Sequence, residues 1–196
     1  MRGGSAASFA ANDTPSTKPS LARVVLRYLA AFGPSSIADV QEWSGLAGLR
    51  EEIEPLRRKL RTFTDARGRE LFDLPDAPRP DPDVPAPPRF LPEFDNVLLA
   101  HADRTRIIAP DHRFALFAGA GLLLGTVLLD GFVAGRWRLT RRQRQAILHV
   151  ETFVRCRAQA RAALEAEGGR MLAFFAADAD RADIRVTAGL PRHRTG

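Results

Sequence analysis

An α+β protein of two modules is what these 196 residues predict, on three observations. Apolar residues recur at helical spacing through the first third of the chain. A dense proline run, eight in the eighteen positions 75–92, then excludes helix and favours extended chain. Beyond it, short apolar runs flank Asp130-Gly131, a dipeptide suited to a two-residue hairpin turn in which both residues take positive φ. The divisions that follow are a disordered tail at 1–19, a helical module at 20–75, a proline-rich linker at 76–89, a β-rich module at 90–154 and a C-terminal helical segment and tail at 155–196.

In the first module, Leu21, Val24, Val25, Tyr28, Leu29 and Phe32 form one helical stripe between Ser20 and the stop at Gly33-Pro34. Ser36 and Asp39 resemble a capping box, and Ile37, Val40 and Trp43 give a second helix ending at Gly45. Leu49, Ile53, Leu56 and Leu60 continue into a third, in which Pro55 either kinks the helix or opens its last segment. Residues 61–64 and 70–74 can then pair as two short strands around a turn carrying Arg67 and Arg69. Three helices followed by a basic-tipped hairpin is the order of a winged helix-turn-helix. In such a module the third helix commonly enters a DNA major groove and the wing reaches the backbone or minor groove. Winged helices also serve as protein-interaction modules. The net charge of only +1 over residues 21–75, with Glu51, Glu52 and Glu54 beside the arginines, leaves both readings open.

The second module predicts a small β-barrel or curled sheet. Short strands are expected at 90–91, 96–99 and 106–108, a hairpin of 122–129 with 132–139, and a further strand at 146–153. Over residues 155–177, Ala158, Ala162, Leu164, Met171, Leu172, Phe174 and Phe175 suggest one long helix or two short ones, bent near Gly168-Gly169. The remaining C-terminal residues read as weakly structured.

Composition excludes several classes. With 45% apolar and 27% charged residues the chain is globular, and a single cysteine, Cys156, permits neither an internal disulfide nor a cysteine-rich zinc site. The four histidines show no short ligand spacing, so no metal is expected, and no phosphate loop, dinucleotide fingerprint or hydrolase elbow implies a cofactor. The longest apolar run, 116–129, is broken by glycines and too short to span a bilayer, and residues 1–20 lack the apolar core of a secretory signal. A cytoplasmic setting is the expectation.

The net charge of +6 is unevenly placed: residues 96–145 carry eight arginines against three aspartates. Arg136, Arg138, Arg141, Arg142 and Arg144 crowd the end of the predicted hairpin with Trp137 among them, a pattern able to span phosphates and offer a ring to an unpaired base. The alternative is a solvated edge strand protected by charge, with Trp137 in the core. The candidate DNA contacts are therefore Arg57, Arg58, Lys59, Arg61, Arg67 and Arg69 in the first module, and Arg136, Trp137, Arg138, Arg141, Arg142 and Arg144 in the second. Glu93 and Asp95 could act as paired carboxylates or merely fix the turn after Pro92, and His101, Asp103 and Arg104 read as a structural ion-pair network.

Three stretches, RYLAAFGPSSIADVQEWSGL at 27–46, PPRFLPEFDNVLLAHADRTRII at 87–108 and LLDGFVAGRWR at 128–138, resemble the winged-helix DNA-binding domain family that includes the AlkZ-type DNA glycosylases. Those are bacterial enzymes that release alkylated bases and unhook interstrand crosslinks. The resemblance covers residues 21–177 and implies a last winged helix followed by a β-barrel. The winged-helix order together with the cluster at 136–144 predicts weak binding to duplex DNA with low sequence preference. The family's catalytic Gln-x-Gln or Gln-x-Asp lies ahead of the segment matching residues 23–46, and nothing here aligns with it. Gln143 and Gln145 spell that pattern but fall beyond the hairpin, so no catalytic residue is assigned. The expectation is a DNA-binding protein without catalytic power of its own. The alternatives are an active glycosylase with an unrecognised site, or a protein-interaction module.

Overall fold

The structure, a computed structural model, describes residues 20–118 and 122–189. The reading of residues 1–19 as a disordered tail lies outside the described residues, as do residues 190–196. The chain is a mixed α/β protein that divides into two compact units. One comprises Met1–Ile37 and Leu46–Ala77, the other Ala38–Gly45 and Pro78–Gly196.

The first unit is built on helix α1 (Leu21–Phe32), capped by the Ser20 side chain and burying Val25, Tyr28 and Leu29. Its end is set by Gly33, whose N–H donates to the Leu29 carbonyl at 2.9 Å. A Cβ there would sit 2.4 Å from an Asp73 carboxylate oxygen, so only glycine lets the chain pass. Helix α3 (Leu49–Ile53) starts after Gly48, at φ +76°, and buries Leu49 and Ile53. The expected effect of Pro55 is visible: α-helix stops at Ile53, and Glu54–Lys59 continues as a tighter 3₁₀ segment with the proline in its first turn. Strands β1 (Arg61–Thr64) and β2 (Glu70–Asp73) pair antiparallel, and Ser35 adds a short bridge to Phe72. Asp65 closes the hairpin turn, one carboxylate oxygen accepting the backbone N–H groups of Arg67 and Arg69 at 2.8 Å each.

Helix α2 (Ile37–Ser44) contributes residues 38–44 to the second unit. Its buried Asp39 accepts the Ala102 N–H at 2.9 Å, and its Trp43 indole donates to Asn96 at 3.4 Å. Both partners lie in that unit.

The second unit holds a five-stranded sheet in the order β3 (Arg89–Leu91), β6 (Gly125–Leu129), β7 (Phe132–Arg142), β8 (Gln145–Thr152), β9 (Arg181–Ala188). A separate two-residue pair, β4 (Phe117–Ala118) and β5 (Leu122–Leu123), lies between β3 and β6 in the chain. Of the two expectations, a small barrel or a curled sheet, the closed barrel is not formed: the sheet is open, with β3 and β9 at its edges. All its pairs are antiparallel except β8 with β9, because helix α5 (Ala158–Phe175) carries the chain back to the starting end of β8. The expectation of a weakly structured C-terminus is thereby corrected. Residues 181–188 alternate polar and apolar, and Ile184 and Val186 join the core under α5.

The predicted hairpin is present, with Asp130 and Gly131 at φ +51° and +77°, as a type I′ turn requires. Two expected strands are not. Residues 96–99 form helix α4, because Asp95 caps it by accepting the Val97 N–H at 2.8 Å, and Asp103 does the same for the 3₁₀ turn Arg104–Arg106. In both cases a capping aspartate outweighs local β propensity. Asp95 thus serves as a turn-fixing acceptor.

The expected bend at Gly168-Gly169 is also absent, and α5 runs straight through. Gly168 instead permits close packing: a Cβ there would lie 3.0 Å from Leu148 and 3.1 Å from Ile184. One face of the sheet packs on α5 through Val127, Ala146, Leu148, Val150, Leu164 and Leu172. Among the described residues, the opposite face is covered over β3, β6 and the start of β7, where Leu98, Ile108, Leu116, Leu128 and Val133 cluster. A bulge makes this possible. Val127 pairs with Gly135 while Leu128 pairs with Val133, so Ala134 is extra and the strand changes which face it presents.

Candidate nucleic-acid interface

Beyond the bulge, β7, β8 and β9 leave one face open to solvent, and register decides what stands on it. Arg138 lies beside His149, which lies beside Arg185; Arg142 lies beside Gln145, which lies beside Arg181. Between these rows run Thr140, Ile147 and Asp183, and to the other side Arg136, Glu151 and Thr187. The face therefore carries five arginines against two carboxylates. A shallow groove of roughly 280 Å³ follows it, lined by Arg138, Thr140, Arg142, Gln145, Ile147 and His149.

The arginines are not equivalent. Arg136 is held by Glu151, its Nε donating at 2.7 Å, and Arg185 reaches Asp183 at 3.3 Å. Arg138, Arg142 and Arg181 form no ion pair among the described residues. At the centre, His149 Nε2 lies 3.0 Å from Thr140 Oγ1. The same hydroxyl lies 3.3 Å from the Ile147 carbonyl oxygen, so Thr140 links the ring to the β8 backbone. Burial first, and then the charges of Arg138 and Arg185, hold the His149 pKa below the ordinary histidine value.

Of the expected contacts in this unit, Arg136, Arg138 and Arg142 stand together on the open face, and three residues stand elsewhere. Trp137 points to the α5 side, edge-on to Phe90 and donating its indole N–H to the Leu91 carbonyl at 2.8 Å. It is half-buried against the core under α5. Arg141 reaches the other way, donating to the Phe175 carbonyl at the end of α5 and pairing with Asp178. Arg144, in the β7–β8 turn, pairs with Asp180 at 2.7 Å, which raises its pKa further and fixes the start of β9. Gln143 occupies the same turn at φ +51°, while Gln145 begins β8 on the open face, so the two amides do not form a unit. His149, Arg181 and Arg185 were missed by the sequence reading. The alternation R-A-D-I-R-V-T-A at 181–188 was the signal that places two of them.

In the first unit the cations are more engaged. Arg57 pairs with both Glu54 and Glu70 and lies over the Phe72 ring at 5.2 Å. Its hydrogen bonds depress the Glu54 pKa and raise its own. Arg69 pairs with Asp65 at 2.6 Å, and Arg61 lies over Phe63 at 5.3 Å. Arg58, Lys59 and Arg67 are exposed. No described helix is long and apolar enough to cross a membrane.

Comparison with known proteins gives one consistent result. The chain is 30% identical over 128 residues to the interstrand DNA cross-link repair glycosylase of Streptomyces sahachiroi, a match covering 59% of this chain and 33% of that protein. Its fold matches the solved Streptomyces sahachiroi DNA glycosylase AlkZ with a TM-score of 0.68 at 26% identity, covering 85% of this chain and 45% of the other. The chain thus spans between a third and a half of the length of these relatives. A family model described as DNA glycosylase AlkZ-like matches residues 3–174, most of the sequence, and the chain belongs to that family.

Proposed function

We propose that this chain is a DNA-holding protein of base or crosslink repair, binding duplex DNA through its phosphates with little sequence preference. The observation that carries the reading is the open face of β7, β8 and β9, where register gathers five arginines and no aromatic platform other than the His149 ring. Such a face suits backbone phosphates, which are the same for every sequence, rather than base edges. The order α1, α2, α3, β1, β2 supports reading the amino-terminal elements as a winged helix. The exposed Arg58, Lys59 and Arg67 would then add backbone contacts. The related glycosylase's role in crosslink repair supports damaged DNA as the setting, and a cytoplasmic location fits it.

Catalysis is not assigned to this chain. Base excision needs a group held beside an extruded nucleotide. Asp95 is committed to a helix cap, and Gln143 sits in the β7–β8 turn while Gln145 begins β8. Fluorescence anisotropy with a short duplex across a salt series tests the binding, which should weaken steeply as salt rises. Absence of binding at low salt, or binding indifferent to salt, would refute it. A single-turnover assay on an alkylated duplex should show no excision above the rate without protein.

A further inference from the structure

The open face is not uniformly basic. Its charge falls in two rows across the strands, Arg138–His149–Arg185 and Arg142–Gln145–Arg181, separated by the uncharged Thr140 and Ile147 with Asp183. The rows are four positions apart along the strands, ~13 Å, and each row spans three strands, ~10 Å. The rows differ at their centres. One has an amide; the other has an imidazole flanked by an arginine on each side.

From this arrangement we propose that Arg138, His149 and Arg185 form a phosphate subsite in which His149 takes up a proton when a phosphodiester is bound. The inference rests on the DNA-binding reading above and names where the backbone is gripped. Nε2 contacts the Thr140 hydroxyl at 3.0 Å, and since both ring nitrogens donate in the imidazolium, protonation leaves one N–H beyond the Thr140 contact to donate. In the free protein the groups facing the ring are Arg138 from β7, Glu151 from β8 itself, and Arg185 and Asp183 from β9. Burial and the two arginines outweigh the two carboxylates, and the imidazole is neutral near pH 7. A phosphodiester seated between the arginines cancels their repulsion, which favours the imidazolium. The proton comes from solvent, and no covalent bond changes. Because bound DNA then holds more protons than free protein, affinity rises as pH falls, by at most about tenfold per pH unit for one linked proton.

NMR titration of the His149 ring in the full chain, identified by its loss in His149→Gln, tests this with and without a short duplex, and separately with inorganic phosphate. DNA should raise the His149 midpoint. His149→Gln should bind more weakly than wild type and lose the gain in affinity seen on acidification, the deficit widening as pH falls. The Arg138→Ala/Arg185→Ala variant should bind about tenfold more weakly at low salt, with a salt slope shallower by about 2. If DNA binds with steep salt dependence while the His149 midpoint is unmoved and the double variant is unimpaired, the subsite is wrong and the broader reading survives. If no DNA binds, that reading fails. The subsite then stands only if inorganic phosphate raises the His149 midpoint, and is overturned if it does not. Unchanged circular dichroism and melting of His149→Gln keep these outcomes free of folding defects.

Discussion

The two faces of the five-stranded sheet are made by alternate residues of the same strands, and they have opposite fates. Along β7, Trp137 and Leu139 pack toward α5, while Arg136, Arg138 and Arg142 face solvent. The dense arginine run in the sequence is therefore two populations. One is displayed. The other, Arg141 and Arg144, anchors the end of α5 and the start of β9. A cluster of cations in sequence becomes a binding surface only where strand parity puts them on one side.

The strongest test separates the faces by stability. Trp137→Ala removes a ring that fills the space beside Gly125, where even a Cβ would lie 2.7 Å from the indole, and abolishes the bond to the Leu91 carbonyl. A loss of about 3 kcal/mol in denaturant unfolding is expected, lower than for a fully buried tryptophan because the ring is partly exposed. A loss under 1 kcal/mol would place Trp137 outside the core. The solvent face should behave inversely. Arg138→Ala/Arg142→Ala/Arg185→Ala should leave melting nearly unchanged yet reduce duplex affinity at low salt by about thirtyfold. Arg57→Ala/Arg58→Ala/Arg61→Ala should cost about threefold, since Arg57 is already bound by Glu54 and Glu70. The reverse ranking, with both variants folded, would move the DNA surface to the first unit.

How much of this the sequence made legible follows the same division. Local chemistry was readable. Asp130-Gly131 placed the hairpin, Pro55 ended a helix, and the alternation within β7 was visible once its strand was drawn. What failed depended on capping or on distant partners. Residues 96–99 look like a strand until Asp95 is recognised as a cap, and Gly168 looks like a break until Leu148 and Ile184 are seen pressing on it. The sheet's openness was hidden for a related reason. The parallel return of β9 depends on α5 crossing back over the sheet, a long-range pairing that no local signal specifies. The missing half of the candidate interface, Arg181 and Arg185, went with it.

A smaller effect tests the anchoring arginines. Arg141→Ala frees the carbonyl at the end of α5 and the Asp178 carboxylate, and it should lower the melting temperature slightly while changing DNA affinity by less than about twofold. A loss of affinity matching that of the open-face variant would show that Arg141 contacts DNA itself, and the two-population distinction would collapse.

The smallest effect concerns pH, and its sign follows from Asp178. The Arg141 guanidinium holds the Asp178 carboxyl below its ordinary pKa. A depressed carboxylate pKa contributes stability that is present above the unfolded value and is lost as pH falls through the folded one. Asp178→Asn should therefore lower the melting temperature a little near pH 7, with the difference shrinking as pH falls through the acid range and the wild-type carboxyl takes up its proton. Both side chains are largely exposed, Arg141 at 40% and Asp178 at 71%, so salt should diminish the difference at pH 7. Duplex affinity should be unchanged, because Asp178 lies with Arg141 away from the open face. Thermal melts of both proteins across that pH range decide the matter. An equal loss at both extremes would mean that Asp178 acts through packing or backbone geometry rather than charge, leaving the Phe175 carbonyl bond alone to explain why Arg141 turns from the solvent face.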